Sequence, residues 1–431
     1  MSFIHKLGLH KALGALSPAV RPLLNAASER RLANAVNIAD LRTCAKARMH
    51  PMCFGYLDSG SDDEVTLRRN HDAYAEFELH YHVLSGLSPE TLDLRSRVFG
   101  RDVALPFFAC PTAGNRMFHD EGEAAAAAAA AHHGTLYGLS SLATTSIGGI
   151  AEQLPAGHPK VFQLYVWKDR ELLRDVLAQA REGGFDALAL TVDFTWYGNR
   201  ERDIRNGFTI PPKYTPKQVL GALSAPAWTW DLISNEPYKY ALLREDVPAE
   251  SLASFVNEQI NPAFDWADAE WLCQEWDGPV AIKGVVRPDD ARRALDAGFS
   301  TLWVSNHGGR QLEGSPATVS VLPAIRAAVG PDVEIILDGG VQRGTDILKG
   351  LALGADAVGV GKPYLYGLGA GGTAGVVRAL DILKIELERA MGLLGVRTVA
   401  DLKARGDDLV RHRGSSARDA QGARYASSGI V

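Results

Sequence analysis

The sequence is short of cysteine and of positive charge, and both shortages narrow the class of protein. Four cysteines are scattered along 431 residues with no close pair. They predict neither a disulfide framework nor a zinc site, and we expect no metal site of another kind. A reducing cytoplasm is the expected compartment. The formal net charge of −6 argues against a nucleic-acid binder, because phosphate backbones select proteins with surplus Lys and Arg.

Long apolar runs are also missing. No segment reaches the ~18 apolar residues that a membrane-spanning helix needs. The alanine run 124–131 predicts one helix lying against a sheet. The basic N-terminal extension, residues 1–36, lacks the uninterrupted apolar segment of a signal peptide. Two interpretations of it stay open: a helix packed on its own domain or on a neighbouring subunit, which we favour, and a contact with a partner or with a membrane surface, peripherally at the inner membrane.

Short apolar runs recur from residue 106 onward, and most are followed by a helix-length stretch. Runs that are apolar throughout are typical of strands buried on both faces of a parallel sheet. Their alternation with helices predicts an α/β fold, a closed (β/α)8 TIM barrel with an N-terminal helical segment. The runs cover residues 106–111, 135–140, 161–166, 187–193, 280–285, 301–306, 334–340 and 357–362.

The barrel domain is expected to span residues 37–395, with a polar C-terminal tail over 396–431. A long insertion after the fourth strand, residues 194–265, is expected on the catalytic face. Its Trp228 and Trp230 suit a lid, a membrane contact or plain packing, and packing is favoured.

The stretch "FELHYHVLSG", residues 77–86, precedes the first barrel strand. It predicts a small strand pair at the bottom of the barrel. Its His80 and His82 have no further ligands nearby in the sequence, so we interpret both as structural.

Polar side chains gather where the predicted strands end, which is where a barrel places its active site. The turns "DGGVQRG" and "GVGKP" follow the last two predicted strands. The loops at these positions are the usual phosphate site of such barrels, and Lys362 would add positive charge there. Tight turns without a ligand are the alternative. The strand-end residues are Thr112, Ser140, Gln163, Tyr165, Thr191, Asp193, Lys283, Ser305, His307, Arg310 and Asp338.

Several motifs, in order along the chain, resemble one family. "FQLYV", "LTVD", "IKGV", "SNHGGRQLEG" and "LDGGVQRGTDILKGLALGADAVGVGKP" resemble the FMN-dependent 2-hydroxy-acid oxidases and dehydrogenases from about residue 37 to about residue 395. The resemblance implies an FMN cofactor, a small 2-hydroxy-acid substrate and a homotetramer. It also implies an electron acceptor that is O2, a quinone or a cytochrome.

The resemblance implies roles for the catalytic and substrate-binding residues. His307 would be the base and Asp193 the carboxylate that orients it, because a neighbouring anion stabilises a protonated imidazole. Arg310 and Arg200 would clamp the substrate carboxylate, which the planar guanidinium suits. The remaining roles fall to Tyr56 at the carboxylate, Tyr165 at the hydroxyl, Lys283 beside the flavin and Leu142 in the substrate pocket.

The family pattern also implies a set of flavin contacts. Gln342 and Lys362 stand where relatives commonly carry Arg, and both positions face the phosphate. Losing one charged hydrogen bond, worth ~1.5–3 kcal/mol, would weaken binding roughly tenfold to a hundredfold. We expect Arg343 to compensate. The implied cofactor contacts are Pro111, Thr112, Ala113, Ser140, Gln163, Thr191, Lys283, Ser305, Asp338, Gly339, Gly340, Gln342, Arg343, Gly361 and Lys362.

Two observations on the substrate disagree. The pair Ala113 and Leu142 resembles a lactate-oxidising member, whereas "YGNRERDIRNGFTIPPKYT" resembles mandelate dehydrogenase. One methylene shifts specificity by only ~1–3 kcal/mol. L-lactate is favoured, with an aromatic or longer 2-hydroxy acid as the alternative.

Two other functions stay open with lower weight. One is an FMN barrel without net redox chemistry, such as the diphosphate isomerases, and the other is a non-catalytic flavin-binding protein. The His307, Asp193 and double-arginine set argues against both.

Overall fold

A closed barrel of eight parallel strands forms the centre of the molecule. The computed structural model describes residues 9–208, 215–236, 240–241 and 259–414. The strands are β1 (Phe77–Leu79), β2 (Ser96–Val98), β3 (Arg101–Val103), β4 (Phe107–Ala109), β5 (Tyr137–Ser140), β6 (Lys160–Tyr165), β7 (Ala187–Thr191), β8 (Val280–Val285), β9 (Thr301–Val304), β10 (Glu334–Leu337), β11 (Ala357–Val360) and β12 (Val410–His412). The barrel closes in the order β10-β11-β4-β5-β6-β7-β8-β9. Each predicted barrel run overlaps one of these strands, so the TIM-barrel prediction is confirmed.

Helices surround the barrel and also precede it. They are α1 (Leu9–Ala33), α2 (Ile38–Arg48), α3 (Pro51–Asp58), α4 (Val65–Asp72), α5 (Gly122–His133), α6 (Ile147–Gln153), α7 (Arg170–Glu182), α8 (Glu201–Asn206), α9 (Pro216–Ser224), α10 (Pro226–Ser234), α11 (Trp266–Glu275), α12 (Pro288–Asp296), α13 (Thr318–Val329), α14 (Gly344–Ala352), α15 (Lys362–Leu394), α16 (Val399–Ala404) and α17 (Gly406–Leu409). The predicted alanine-rich helix is α5, and the long insertion follows β7, the fourth barrel strand.

The barrel strands have two buried faces because successive side chains alternate in direction. In β4, Phe107 packs in the outer apolar layer, whereas Phe108 packs inside the barrel. Small interior residues such as Ala187 and Ala281 leave room for Trp303, whose buried indole meets Phe108 edge to face at 5.5 Å. The barrel is therefore a filled core, and a ligand must bind at its end.

Two strands that are distant along the chain pair beside the barrel. β1 pairs antiparallel with β12, which places Phe77 opposite His412. The prediction of a strand pair within residues 77–86 is wrong, because the one strand there pairs with β12 instead. A local sequence pattern does not indicate a pairing so distant along the chain. The hairpin of β2 and β3 was not predicted. The predicted tail begins with α16, α17 and β12, and its residues 415–431 lie outside the described part.

The N-terminal helix packs on the insertion. The indole of Trp230 donates to Ser17 Oγ (3.0 Å), and that of Trp228 donates to the carbonyl of Met117 (2.9 Å). Both tryptophans therefore serve in packing, as favoured from the sequence, and α1 lies on its own domain. Within the described ranges, no helix is both long and apolar enough to cross a membrane.

Helix α4 braces two loops at the C-terminal end of the barrel. Asn70 and Asn306 exchange amide hydrogen bonds of 2.9 and 2.8 Å. The carbonyl of Asn70 also lies against Gly340, whose φ of +78° favours glycine. The turns after β9 and β10 are thereby fixed to one helix.

Replacing Gly340 with alanine is expected to lower the thermal unfolding temperature, because the new Cβ would collide with the carbonyl oxygen of Asn70. Gly314→Ala is the matched control: its φ is +83°, yet a Cβ there would meet no atom within 4 Å. Left-handed strain alone costs ~1–2 kcal/mol, so thermal denaturation should show a clearly larger loss for Gly340→Ala. Equal losses would contradict the packing of α4 on this turn.

Candidate active site

A cavity of about 490 Å³ opens at the C-terminal ends of the barrel strands. Its volume lies within the ~300–1,000 Å³ typical of small-molecule and cofactor sites. Most residues predicted from the sequence line it, because most of them lie near the C-terminal ends of barrel strands or in the loops that follow. These are Tyr56, Pro111, Thr112, Ala113, Leu142, Gln163, Tyr165, Thr191, Arg200, Lys283, His307, Arg310, Asp338, Gly339, Gly340, Gln342, Gly361 and Lys362.

His307 follows β9 in a left-handed conformation, with φ +57°. Its Nδ1 lies 2.9 Å from Asp193 Oδ1. A carboxylate accepts, so Nδ1 carries the hydrogen and Nε2 is left as the ring atom able to accept a proton. Asp193 itself lies behind the cavity wall, where it orients the imidazole.

A backbone irregularity makes room for Asp193. The pairing register of β8 shifts between Lys283 and Val285, and Gly284 has φ +113°. A Cβ at Gly284 would come within 2.7 Å of Asp193 Cβ. The bulge therefore allows the carboxylate to approach the barrel end closely enough to reach His307.

Two arginines flank the ring of Tyr56. The guanidinium carbon of Arg310 lies 4.8 Å from the ring centre and that of Arg200 lies 5.8 Å from it. Arg310 donates to the carbonyls of Tyr56 (2.7 Å) and Ser59 (2.9 Å). Burial lowers the pKa of Arg310, and the charge of Arg200 lowers it further. Such a pair attracts an anion, whose charge would offset the repulsion.

Lys283 is buried in a polar cluster at the end of β8. Its Nζ donates to Asp338 Oδ2 (2.6 Å) and to Ser305 Oγ (2.7 Å). Burial opposes the ammonium charge, but the carboxylates of Asp338 and Asp193 outweigh it, so the pKa of Lys283 is raised. Lys283 therefore stays positively charged beside the cavity. Ser305 lies behind the wall and supports it.

Three neighbouring strand ends form a chain of hydrogen bonds. Ser140 Oγ donates to Gln163 Oε1 (2.7 Å), and Gln163 Nε2 donates to Thr191 Oγ1 (2.8 Å). Ser140 lies behind the wall, whereas the other two side chains line it. The chain fixes which way the Gln163 amide faces.

The glycine-rich turns after β10 and β11 form the other end of the cavity. Lys362 Nζ donates to the carbonyls of Asp58 and Ser59, both at 2.9 Å. Burial lowers the pKa of Lys362 to about 7, and the nearby charge of Arg310 acts in the same direction. Gln342 lines this end.

The structure does not bring Arg343 to the cavity. Its guanidinium donates to Glu386 (2.7 Å), and about half of the side chain is exposed. Arg343 and Gln342 are adjacent in sequence but their side chains leave the backbone in different directions. The expectation that Arg343 compensates for Gln342 is therefore not supported.

Sequence reasoning missed an aromatic part of the wall. The Phe208 ring stacks on Tyr56 at 4.3 Å, and the Phe194 ring stacks on the His307 imidazole at 5.5 Å. Phe194 follows the "LTVD" motif directly, so its position could have been inferred. Tyr197 and Phe208 lie in the stretch that resembles mandelate dehydrogenase, so they too carried a signal, whereas none marks Phe118 and Tyr240.

The chain matches the family model described as FMN-dependent dehydrogenase over residues 45–408. It is 40% identical to an L-lactate oxidase from Nostoc sp. over 86% of this chain and 97% of that protein. It is 39% identical to an L-lactate dehydrogenase from Vibrio cholerae over 86% of this chain and 98% of that protein.

A solved structure of a monotopic membrane protein, (S)-mandelate dehydrogenase, superposes with a TM-score of 0.84. The two are 31% identical, and the match covers 88% of this chain and 100% of that one. A mandelate oxidase with benzoyl-formic acid gives a TM-score of 0.73 at 34% identity, over 86% and 97% of the two chains.

The residues of the cavity fit FMN. Lys283, Gln163 and Thr191 present polar groups at one end, as a flavin ring requires. At the other end, a Cβ at Gly361 would meet no atom within 4 Å, so the backbone is open to a phosphate beside Lys362. On the family match and this fit, the chain belongs to the FMN-dependent dehydrogenases, the family of 2-hydroxy-acid oxidases and dehydrogenases.

Proposed function

We propose that this protein oxidises an L-2-hydroxy acid, with L-lactate favoured, to the 2-keto acid. The observation that carries the proposal is that the His307–Asp193 pair faces the same cavity as Arg310, Arg200 and Lys283. A carboxylate-binding pair, a proton acceptor and a buried cation are the groups that this oxidation needs. The L-lactate oxidase and dehydrogenase relatives support the choice of substrate.

Each side chain has a role that follows from its surroundings. Oxidation of the hydroxy acid releases two electrons and two protons, and bound FMN would accept the two electrons and one of the protons. Arg310 and Arg200 hold the substrate carboxylate. Its negative charge offsets the repulsion between the two guanidinium groups, which favours binding. His307 takes a proton at Nε2, and Asp193 stabilises the resulting imidazolium.

Larger substrates are the second candidate. Ala113 and Leu142 line the cavity together with Phe118, Phe208 and Tyr240. An aromatic wall favours an aromatic or long apolar side chain, which edge-to-face or stacked contacts would hold. The mandelate-oxidising neighbours agree with this alternative.

The function is tested by recording the visible spectrum of the holoprotein without oxygen. L-lactate is expected to bleach the bound flavin, and D-lactate is the control that should not. Rapid recolouring in air would identify an oxidase, and slow recolouring would identify a dehydrogenase with a quinone or cytochrome acceptor. If mandelate bleaches the flavin and L-lactate does not, the second candidate replaces the first. Failure of every 2-hydroxy acid would overturn the proposal.

His307→Gln is expected to keep FMN bound but to slow its reduction by substrate roughly 10²- to 10⁴-fold, since the proton acceptor is lost. Stopped-flow absorbance without oxygen measures the rate. Dithionite should still reduce the flavin of the variant, which shows that the cofactor itself remains competent. A rate within a few-fold of the unchanged enzyme would remove His307 as the base.

We also propose that the insertion contacts a membrane surface, which would suit a quinone acceptor. Val219, Leu220 and Leu223 on α9 are 52%, 67% and 74% exposed. Apolar side chains grouped on one short helix suit an interfacial contact. The monotopic mandelate dehydrogenase supports the idea. A homotetramer and a cytoplasmic location at the inner membrane remain predictions, and light scattering of the purified protein tests the first.

Leu220→Ser/Leu223→Ser is expected to reduce flotation of the protein with vesicles of phosphatidylethanolamine and phosphatidylglycerol, because the buried apolar area is lost. Leu393→Ser is the matched control, since Leu393 is 71% exposed on α15 and outside the insertion. Unchanged flotation of the double variant, or no flotation of the original chain, would exclude α9 as the contact.

A further inference from the structure

We propose that His71 is a ligand of the phosphate group of FMN in this chain. No motif pointed to this residue, which lies on α4, outside the barrel. The inference depends on the cofactor of the family and not on which acid is oxidised. It concerns the end of the cavity where Gln342 supplies no charge and Arg343 points elsewhere.

The position of His71 is fixed by the turn after β10. Its Nδ1 lies 2.8 Å from the carbonyl oxygen of Gly340, and the residue lines the cavity together with Gln342 and Lys362. The neighbouring Asn70 is tied to Asn306 through two amide hydrogen bonds. The imidazole is therefore held at the glycine turn by both its own bond and the packing of its helix.

The hydrogen bond to Gly340 determines what the other ring nitrogen can do. A carbonyl oxygen only accepts, so Nδ1 carries a hydrogen. Among the described residues, Nε2 has no hydrogen-bond partner. It is thus free to accept from a protonated phosphate, or to donate to a phosphate dianion once the ring is an imidazolium. Either way one proton lies between ring and phosphate.

The charges around His71 explain why a phosphate would suit it. Burial lowers the pKa of His71, and the Lys362 ammonium lowers it further, while the Gly340 bond, Asp72 and Asp58 act in the opposite direction. The protonated form of His71 is thus disfavoured until an anion binds nearby. The protonated form of Lys362 is disfavoured in the same way, because burial lowers its pKa. A phosphate placed between them would stabilise both charged forms.

The experiment compares FMN with riboflavin, which is the same flavin without the phosphate. Quenching of flavin fluorescence on titration of the apoprotein gives both dissociation constants. His71→Ala is expected to weaken FMN binding roughly tenfold to a hundredfold, the effect of one charge-assisted hydrogen bond. Riboflavin binding should change less than twofold. The FMN affinity of His71→Gln should lie between those of the original chain and His71→Ala, since the glutamine amide donates a hydrogen bond without a charge.

Riboflavin also reports whether the variant is folded around an intact cavity. Equal weakening of FMN and riboflavin would show that His71 only supports the turn, and no weakening of FMN would show that it does not contact the phosphate; either result overturns the proposal. His80→Ala, which removes a partly exposed histidine remote from the cavity wall, is the control. Neither outcome depends on L-lactate bleaching, so the substrate proposal is tested separately.

A second variant tests whether His71 substitutes for the missing arginine. Gln342→Arg should restore FMN affinity to His71→Ala by a larger factor than it adds to the original chain, because the two side chains would serve the same phosphate. Equal factors in both backgrounds would show that the two positions act independently, which contradicts a shared ligand.

Discussion

Two buried cations in the cavity are held by carbonyl oxygens. Arg310 and Lys362 both donate to the carbonyl of Ser59, and each has a second carbonyl partner in the last turn of α3 or directly after it. Carbonyl oxygens at the C-terminal end of a helix carry partial negative charge, so they orient a cation without neutralising it. Burying such charges is expensive, and the lowered pKa values of both groups express that cost. An anionic ligand is what offsets it.

The end of α3 can hold two cations because Asp58 anchors it from behind. Arg42 and Arg202 pair with the Asp58 carboxylate, and the hydroxyl of Tyr366 donates to it at 2.8 Å. Despite burial, the Arg42 guanidinium and the Tyr366 hydroxyl hold the pKa of Asp58 well below its usual range. The network joins α2, α3, α8 and α15. The N-terminal segment is thus part of the active site, and the barrel alone would not hold Arg310.

Residues in or just after the C-terminal end of a barrel strand could be placed from the sequence, because parallel strands of a barrel end at one face. Lys283, His307 and Gln163 were found in this way and do line the cavity. His71 could not be placed from the sequence, since it lies on a helix outside the barrel. That helix approaches the barrel through a contact with Gly340, which is distant along the chain. Arg343 shows a second limit. Its partner Glu386 decides where its side chain points, and nothing local in the sequence indicates that pairing.

The basic groups of the cavity differ in what holds them, and this difference indicates how they act. Lys283 is paired with the carboxylate of Asp338, and His307 is paired with that of Asp193. Arg310 and Lys362 have no carboxylate partner among the described residues: carbonyl oxygens hold both, and the Ser59 hydroxyl also accepts from Arg310, so their charge is directed to the cavity. The first pair suits groups whose proton must be held during a reaction. The second suits groups that bind an anion, the substrate carboxylate at Arg310 and the FMN phosphate at Lys362.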